Sequence, residues 1–229
     1  MAISITVEKH GIRYDKNVDV CPVCAHAVEP KVLTSVFAGR PGVNGTSLEI
    51  SFQCIRPSCL KMFVGIYRQT QINQQGNEYG NYMLTETIPK LVVPQSVPEE
   101  VTAVSERFAT IYNQASEAET LGLDEVAGIG YRKALEFLIK DFCISKNPED
   151  EDAIKTKLLG RVIHEHVEDI NIKSCAERAA WLGNDETHYV RRWEDKDIED
   201  LKILIELTLG WVRNSILTDQ YMQNMDRNA

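Results

Sequence analysis

Four of the six cysteines stand in two close pairs, Cys21-Pro22-Val23-Cys24 and Cys54-Ile55-Arg56-Pro57-Ser58-Cys59, with 29 residues between Cys24 and Cys54. Paired thiols at such spacing are metal-ligand chemistry. Zinc accepts four thiolates tetrahedrally at about 2.3 Å, does no redox chemistry, and in a closed four-sulfur site keeps no position for substrate. The expected cofactor is therefore one structural Zn2+ on Cys21, Cys24, Cys54 and Cys59. The second pair has four intervening residues where two is commoner. His26, two residues past Cys24, is an alternative ligand whose plainer reading is a surface histidine. Cys143 and Cys175 lie on helical stretches far from any second pair and read as small buried hydrophobes.

A second group of chemically capable residues lies near Trp181-Leu182-Gly183-Asn184-Asp185-Glu186-Thr187-His188. On one helix, Glu177, Trp181, Asn184, His188, Arg191 and Arg192 would fall within about 60° of a common line. Such a face could orient a phosphodiester: arginine clamps the charge, histidine exchanges a proton near neutral pH, and asparagine fixes a hydroxyl or the imidazole. The alternative is internal. Asn184 and His188 would then hydrogen-bond across the helices while the arginines pair with acids such as Glu194 and Asp195. Gly183 costs a helix about 1 kcal/mol relative to alanine, which points to something packed closely against it. Arg132 and Glu136, at i and i+4, pair with each other or reach toward Asn184 and His188.

The elements that position these residues change character along the chain. Ile3–Val7, Lys31–Phe37, Thr46–Phe52, Met62–Tyr67 and Tyr82–Thr87 are short, rich in β-branched or aromatic residues, and read as strands. The Gln/Asn/Gly-rich stretch 69–80 reads as a mobile hairpin loop. Prolines 89, 94 and 98 mark a boundary. Beyond it a helical period takes over. One helix carries Val101, Val104, Phe108, Ile111, Tyr112 and Ala115. A second buries Tyr131, Leu135, Leu138, Ile139 and Phe142, and a third turns Leu158, Leu159, Val162 and Ile163 inward. The fourth runs from about Lys173 to Arg191, and the fifth, from about Asp197, buries Ile198, Leu201, Leu204, Ile205, Thr208, Trp211 and Val212. The expected fold is α+β: a small β zinc ribbon over residues 1–92, then an all-α antiparallel bundle of five helices over 98–222.

Charge divides at the same place. Residues 1–95 carry nine basic and seven acidic side chains, and the rest carry 16 and 27, for a net charge of −9 over 229 residues. That balance excludes a broad cationic nucleic-acid coat and leaves room for a local basic patch. Glu8, Lys9, Arg13 and Asp15 interrupt any secretory h-region, and Leu207–Val212 lies between Glu206 and Arg213. A cytoplasmic protein with no membrane association is expected, in a compartment that keeps thiols reduced.

Tyr131-Arg132-Lys133-Ala134-Leu135-Glu136, then Leu182-Gly183-Asn184 and His188, then an acid-rich start to the last helix, resemble the bacterial domain of unknown function 4145 family over roughly 98–217. That family is similar to the HEPN superfamily of helical bundles, found in toxins, anti-phage defence systems and RNA-processing factors. Active members dimerise and join two Arg-x(4–6)-His motifs into one RNA-cleaving site. Residue by residue, the resemblance places the superfamily histidine on His188 and its polar residue on Asn184. The arginine position falls on Gly183. Arg178 lies ten residues before His188, outside the usual spacing, and Arg191 and Arg192 follow it. The resemblance thus implies a homodimer. Arg132, Glu136 and Trp181, on or beside the polar face, are further candidate binding residues. Two functions follow as expectations. One is a binding or adaptor protein of an antiviral defence or RNA-related system, with an RNA or protein partner. The other is a metal-independent endoribonuclease using His188, Asn184, Arg192, Arg191 and Arg178 across the dimer. A regulatory or structural protein without any nucleic-acid role is a third.

Overall fold

A computed structural model describes residues 2–40, 45–72 and 78–225, which belong to two compact units, Met1–Val93 and Pro94–Ala229.

In the first unit, β1 (Ile3–Val7), β2 (His10–Tyr14), β3 (Lys31–Ala38), β4 (Ser47–Gln53), β5 (Met62–Ile72) and β6 (Glu78–Ile88) form one sheet in the order β1-β2-β6-β5-β4-β3. Side chains alternate along β4, so Leu48, Ile50 and Phe52 all point inward. They meet Phe63 and Tyr67 of β5, in register with Phe52 and Leu48. The sheet curls until its ends approach. The rings of His10 on β2 and Phe37 on β3 meet edge to face at 6.3 Å, and Phe37 reaches Tyr82 of β6 at 6.0 Å. β2 joins β6 through the parallel pair Tyr14 and Tyr82, reinforced by the Leu84 amide, which donates to Asp15 Oδ1 at 3.0 Å.

This nearly closed, barrel-like sheet corrects the expected zinc ribbon. A ribbon relies on its metal because it lacks a core. Here Val7, Tyr14, Leu48, Ile50, Phe52 and Tyr67 form one that excludes water. Two local expectations also fail. β2 was not foreseen, because His10-Gly11-Ile12-Arg13 has little β-branched or aromatic character. The stretch expected as a loop over 69–80 is strand at 69–72 and 78–80, while 73–77 lie outside the described residues.

The second unit contains seven α-helices among the described residues: α1 (Glu99–Val104), α2 (Glu106–Thr120), α3 (Asp124–Lys146), α4 (Glu151–Thr156), α5 (Leu159–His166), α6 (Ile170–Asp185) and α7 (Ile198–Asn224). α3 packs against every other helix. Its Ala127, Tyr131, Ala134, Leu135, Leu138, Ile139 and Phe142 recur at helical spacing and are buried. An antiparallel five-helix bundle is therefore corrected to short and long helices gathered around a central α3. The expected first helix breaks at Ser105, whose buried hydroxyl donates to Asp141 on α3. The third, expected after an acidic loop at Asn147–Asp152, is divided at Lys157 and Leu158 into α4 and α5, leaving Leu158 78% exposed rather than inward. Trp211 on α7 is likewise exposed, whereas Leu201, Ile205, Thr208 and Val212 are buried.

Side-chain caps fix where the last two helices start. The Asp169 carboxylate accepts from the Asn171 and Ile172 amides, and Asp197 forms a reciprocal capping box with Asp200. Among the described residues, no helix is long and apolar enough to cross a membrane.

Candidate functional site

The four paired cysteines converge. Their Sγ atoms all lie within 4.8 Å of one another, with Cys21 and Cys54 buried and Cys24 and Cys59 partly so. The Cys21 and Cys59 sulfurs are 3.9 Å apart. Tetrahedral bonds of about 2.3 Å set sulfurs about 3.8 Å apart, whereas a disulfide needs about 2.0 Å. This geometry fits four ligands around one metal ion.

Two tight turns aim the sulfurs. In the first, between β2 and β3, the Cys21 amide donates to the His26 carbonyl at 2.9 Å and the Ala25 amide to the Cys21 carbonyl at 2.8 Å. In the second, between β4 and β5, the Cys54 amide donates to Lys61 O at 2.9 Å and the Leu60 amide to Arg56 O at 3.1 Å. Ala25 and Leu60 both take φ of +52°, reversing the chain directly after Cys24 and Cys59. The second turn is closed from Arg56 as the first is from Cys21, so the two additional residues of the second pair, Ile55 and Arg56, lead into the turn. His26 stays outside the cluster, with Nδ1 donating to the Cys24 carbonyl.

The electrostatics of the cluster are divided. Burial pushes the Cys21 thiol up to about 12. At Cys24 desolvation acts in the same direction but is outweighed: the His26 amide, the neighbouring cysteines and Arg56 draw it down to about 6. Arg56 Nη1 donates to Cys24 Sγ at 3.8 Å. Four thiolates in so small a space repel one another, and a divalent cation is what allows them all to ionise.

In the helical unit, the structure joins some of the candidate residues and separates others. Arg132 Nε donates to Asn184 Oδ1 at 3.0 Å and Arg132 Nη1 to Glu136 Oε2 at 3.4 Å. Glu136 Oε1 also accepts from Lys140 at 2.7 Å, so the polar chain runs from α6 along α3. Burial draws Arg132 below its ordinary value, against the attraction of Glu136.

The expected shared face does not continue to the arginines, because α6 stops at Asp185. His188 stands exposed beyond the helix end. Arg191 pairs with Glu186 at 2.9 Å and donates to the Lys196 carbonyl at 2.7 Å. Arg192 lies 5.8 Å from the centre of the Trp193 ring, and Arg178 lies 6.0 Å from that of Trp181. Trp181 itself is half exposed and runs parallel to Trp193.

Two residues that matter here were missed from the sequence. Buried Asp185 accepts through Oδ2 from the Arg192 amide at 2.9 Å and the Trp193 amide at 2.7 Å, folding the chain back after α6. Trp193 is the indole that this fold-back delivers. The available signal was Gly183-Asn184-Asp185-Glu186-Thr187, a cluster rich in turn-forming residues at a helix end.

No family model matches the chain, and no curated protein or solved structure matches it either. The functional reading therefore rests on the geometry just described and on the sequence resemblance.

Proposed function

We propose that the protein is a non-catalytic binding or adaptor protein of a bacterial defence or RNA-related system. One structural Zn2+ on Cys21, Cys24, Cys54 and Cys59 stabilises its β unit, and its helical unit meets an RNA or protein partner, as a cytoplasmic homodimer. The resemblance of Tyr131–Glu136, Leu182–Asn184 and His188 to a family linked with such systems motivates the setting.

The observation that carries the non-catalytic reading is the Arg132–Asn184 hydrogen bond. Asn184 Oδ1 is occupied by a guanidinium at 3.0 Å, while His188 lies past the end of α6. The charge-assisted bond commits the Asn184 oxygen to Arg132 on α3 in place of an attacking hydroxyl or an imidazole. Four thiolates also leave zinc no open position for Lewis-acid chemistry.

A second reading, metal-independent RNA cleavage by His188 with Asn184 and the arginines across a dimer, is favoured by one observation: His188 and Arg192 are both exposed on the segment after α6. Incubation with single-stranded RNA, with EDTA removing free divalent metal, separates the two. The binding reading expects intact RNA. Cleavage abolished by His188→Ala would overturn it in favour of the nuclease.

A further inference from the structure

Trp181, near the end of α6, and Trp193, in the segment before α7, hold their indoles 8° from parallel with ring centres 6.3 Å apart. Beside them opens a cleft of about 340 Å³, walled by the two indoles, Ile203 and Leu204, with Arg178 and Lys196 among its lining residues. Ligand clefts for small molecules begin at about this volume, about 300 Å³. Trp181 is 47% exposed and Ile203 54% exposed, an unusual amount of apolar surface to leave in water at one place.

This aromatic surface is held in position. The Trp193 amide is fixed by buried Asp185, and Arg191 ties Glu186 to the Lys196 carbonyl, so the segment carrying the second indole is braced at both ends. An indole set by backbone hydrogen bonds loses little further freedom when a ring stacks on it.

The charge at the cleft is positive. The Arg178 guanidinium donates to the Ser174 carbonyl of its own helix at 2.7 Å, and no carboxylate pairs with it among the described residues. Asp200 also lines the cleft, but it is committed to the Asp197 amide and to Lys196 at 3.6 Å. The two indoles stack on each other with centres 6.3 Å apart, so a third ring meets the outside of the pair and not a slot between them. The adjacent Arg178 guanidinium, whose contacts are a backbone carbonyl and the Trp181 ring, keeps its positive charge for an anionic group on the same ligand.

We propose that this cleft binds one small aromatic anion of about mononucleotide size, its ring against Trp181 and Trp193 and its charged group at Arg178. Size argues against a strand as the occupant of the cleft itself: about 340 Å³ holds one nucleotide-sized ligand and not a run of successive bases. The inference deepens the binding reading by naming a ligand class for the helical unit, and rests on that reading for placing recognition there.

The test is titration of the full-length protein with AMP, UMP and indole-3-acetate, followed by tryptophan emission and calorimetry. The expected result is saturable binding of at least one, with half-saturation at or below about 1 mM. Arg178→Gln should weaken it about tenfold, Trp181→Leu should abolish it, and inorganic phosphate alone should give no saturable signal. Adenosine should bind more weakly than AMP and be indifferent to Arg178→Gln. Both substitutions fall on exposed side chains, and unchanged circular dichroism verifies the fold. Failure of all three ligands, or binding unaltered in Arg178→Gln, would overturn the inference. So would an oligonucleotide that binds more tightly per nucleotide than AMP. RNA retained intact by a protein that ignores the three small anions would overturn this inference alone and leave the binding reading standing.

Discussion

The Arg132 side chain crosses α6 where a β-carbon on Gly183 would stand: such an atom would lie 2.5 Å from Arg132 Cδ and 2.9 Å from Arg132 Cβ. The missing β-carbon leaves the space that Arg132 occupies. The glycine backbone lets α3 and α6 approach closely enough for Arg132 to reach Asn184, the next residue along α6. A similar relation holds one turn earlier on α3, where a β-carbon on Gly128 would meet Glu186 Cγ at 2.8 Å.

Gly183→Ala sets two effects against each other. Alanine gains about 1 kcal/mol of helix propensity, while forcing a side chain into an occupied space costs about 1–3 kcal/mol. Because Arg132 Cβ cannot swing away as its far end can, the clash wins. Urea denaturation should show a net loss of about 1 kcal/mol, and a rise in stability would contradict the packing described.

Arg132 and Asn184 should be energetically coupled. A hydrogen bond from a charged donor is worth about 1.5–3 kcal/mol when buried, and Asn184 is exposed, so about 1 kcal/mol is expected from a double-mutant cycle of Arg132→Gln and Asn184→Ala. Strict additivity would show that the bond contributes nothing.

Asp185→Ala strips acceptors from two backbone amides at once. A loss of about 1–3 kcal/mol follows from the unsatisfied donors, together with a red shift of tryptophan emission as Trp193 leaves its place. Asp185→Asn keeps one acceptor oxygen and should fall between alanine and the natural residue.

Acid stability should depend on Glu119. Desolvation would raise its carboxyl, but Lys202, donating at 2.7 Å, and the Tyr131 hydroxyl, donating at 2.6 Å, outweigh that and hold it below the usual carboxylate value. A depressed carboxylate stabilises the fold above its unfolded value of about 4.3. That contribution is lost as pH falls through the lower folded value. Thermal midpoints measured from pH 6 down to pH 3 should drop less steeply in Glu119→Gln than in the natural protein.

How much of this was legible varied with the range of the interaction involved. The cysteine pairs were readable because each knuckle is a local turn, closed within a few residues by amides of its own segment. The buried face of α3 was readable because helical spacing repeats along one element. Closure of the sheet was not: it depends on Phe37 meeting His10 and Tyr82, residues distant in the chain. The end of α6 was misread for a related reason. Asp185 stops the helix by capturing amides seven and eight residues further on, so the periodicity continuing to Arg191 described a helix that the chain does not form. Gly183 did announce close packing, without saying that Arg132 was the neighbour.

The proposed structural metal ion on Cys21, Cys24, Cys54 and Cys59 is tested most directly by elemental analysis of the purified native protein. The expected result is one zinc per chain, resistant to EDTA and lost in a Cys21→Ser/Cys59→Ser double variant together with a lower thermal midpoint. Unchanged stoichiometric zinc in that variant, or a metal-free native protein carrying a disulfide among Cys21, Cys24, Cys54 and Cys59, would contradict it.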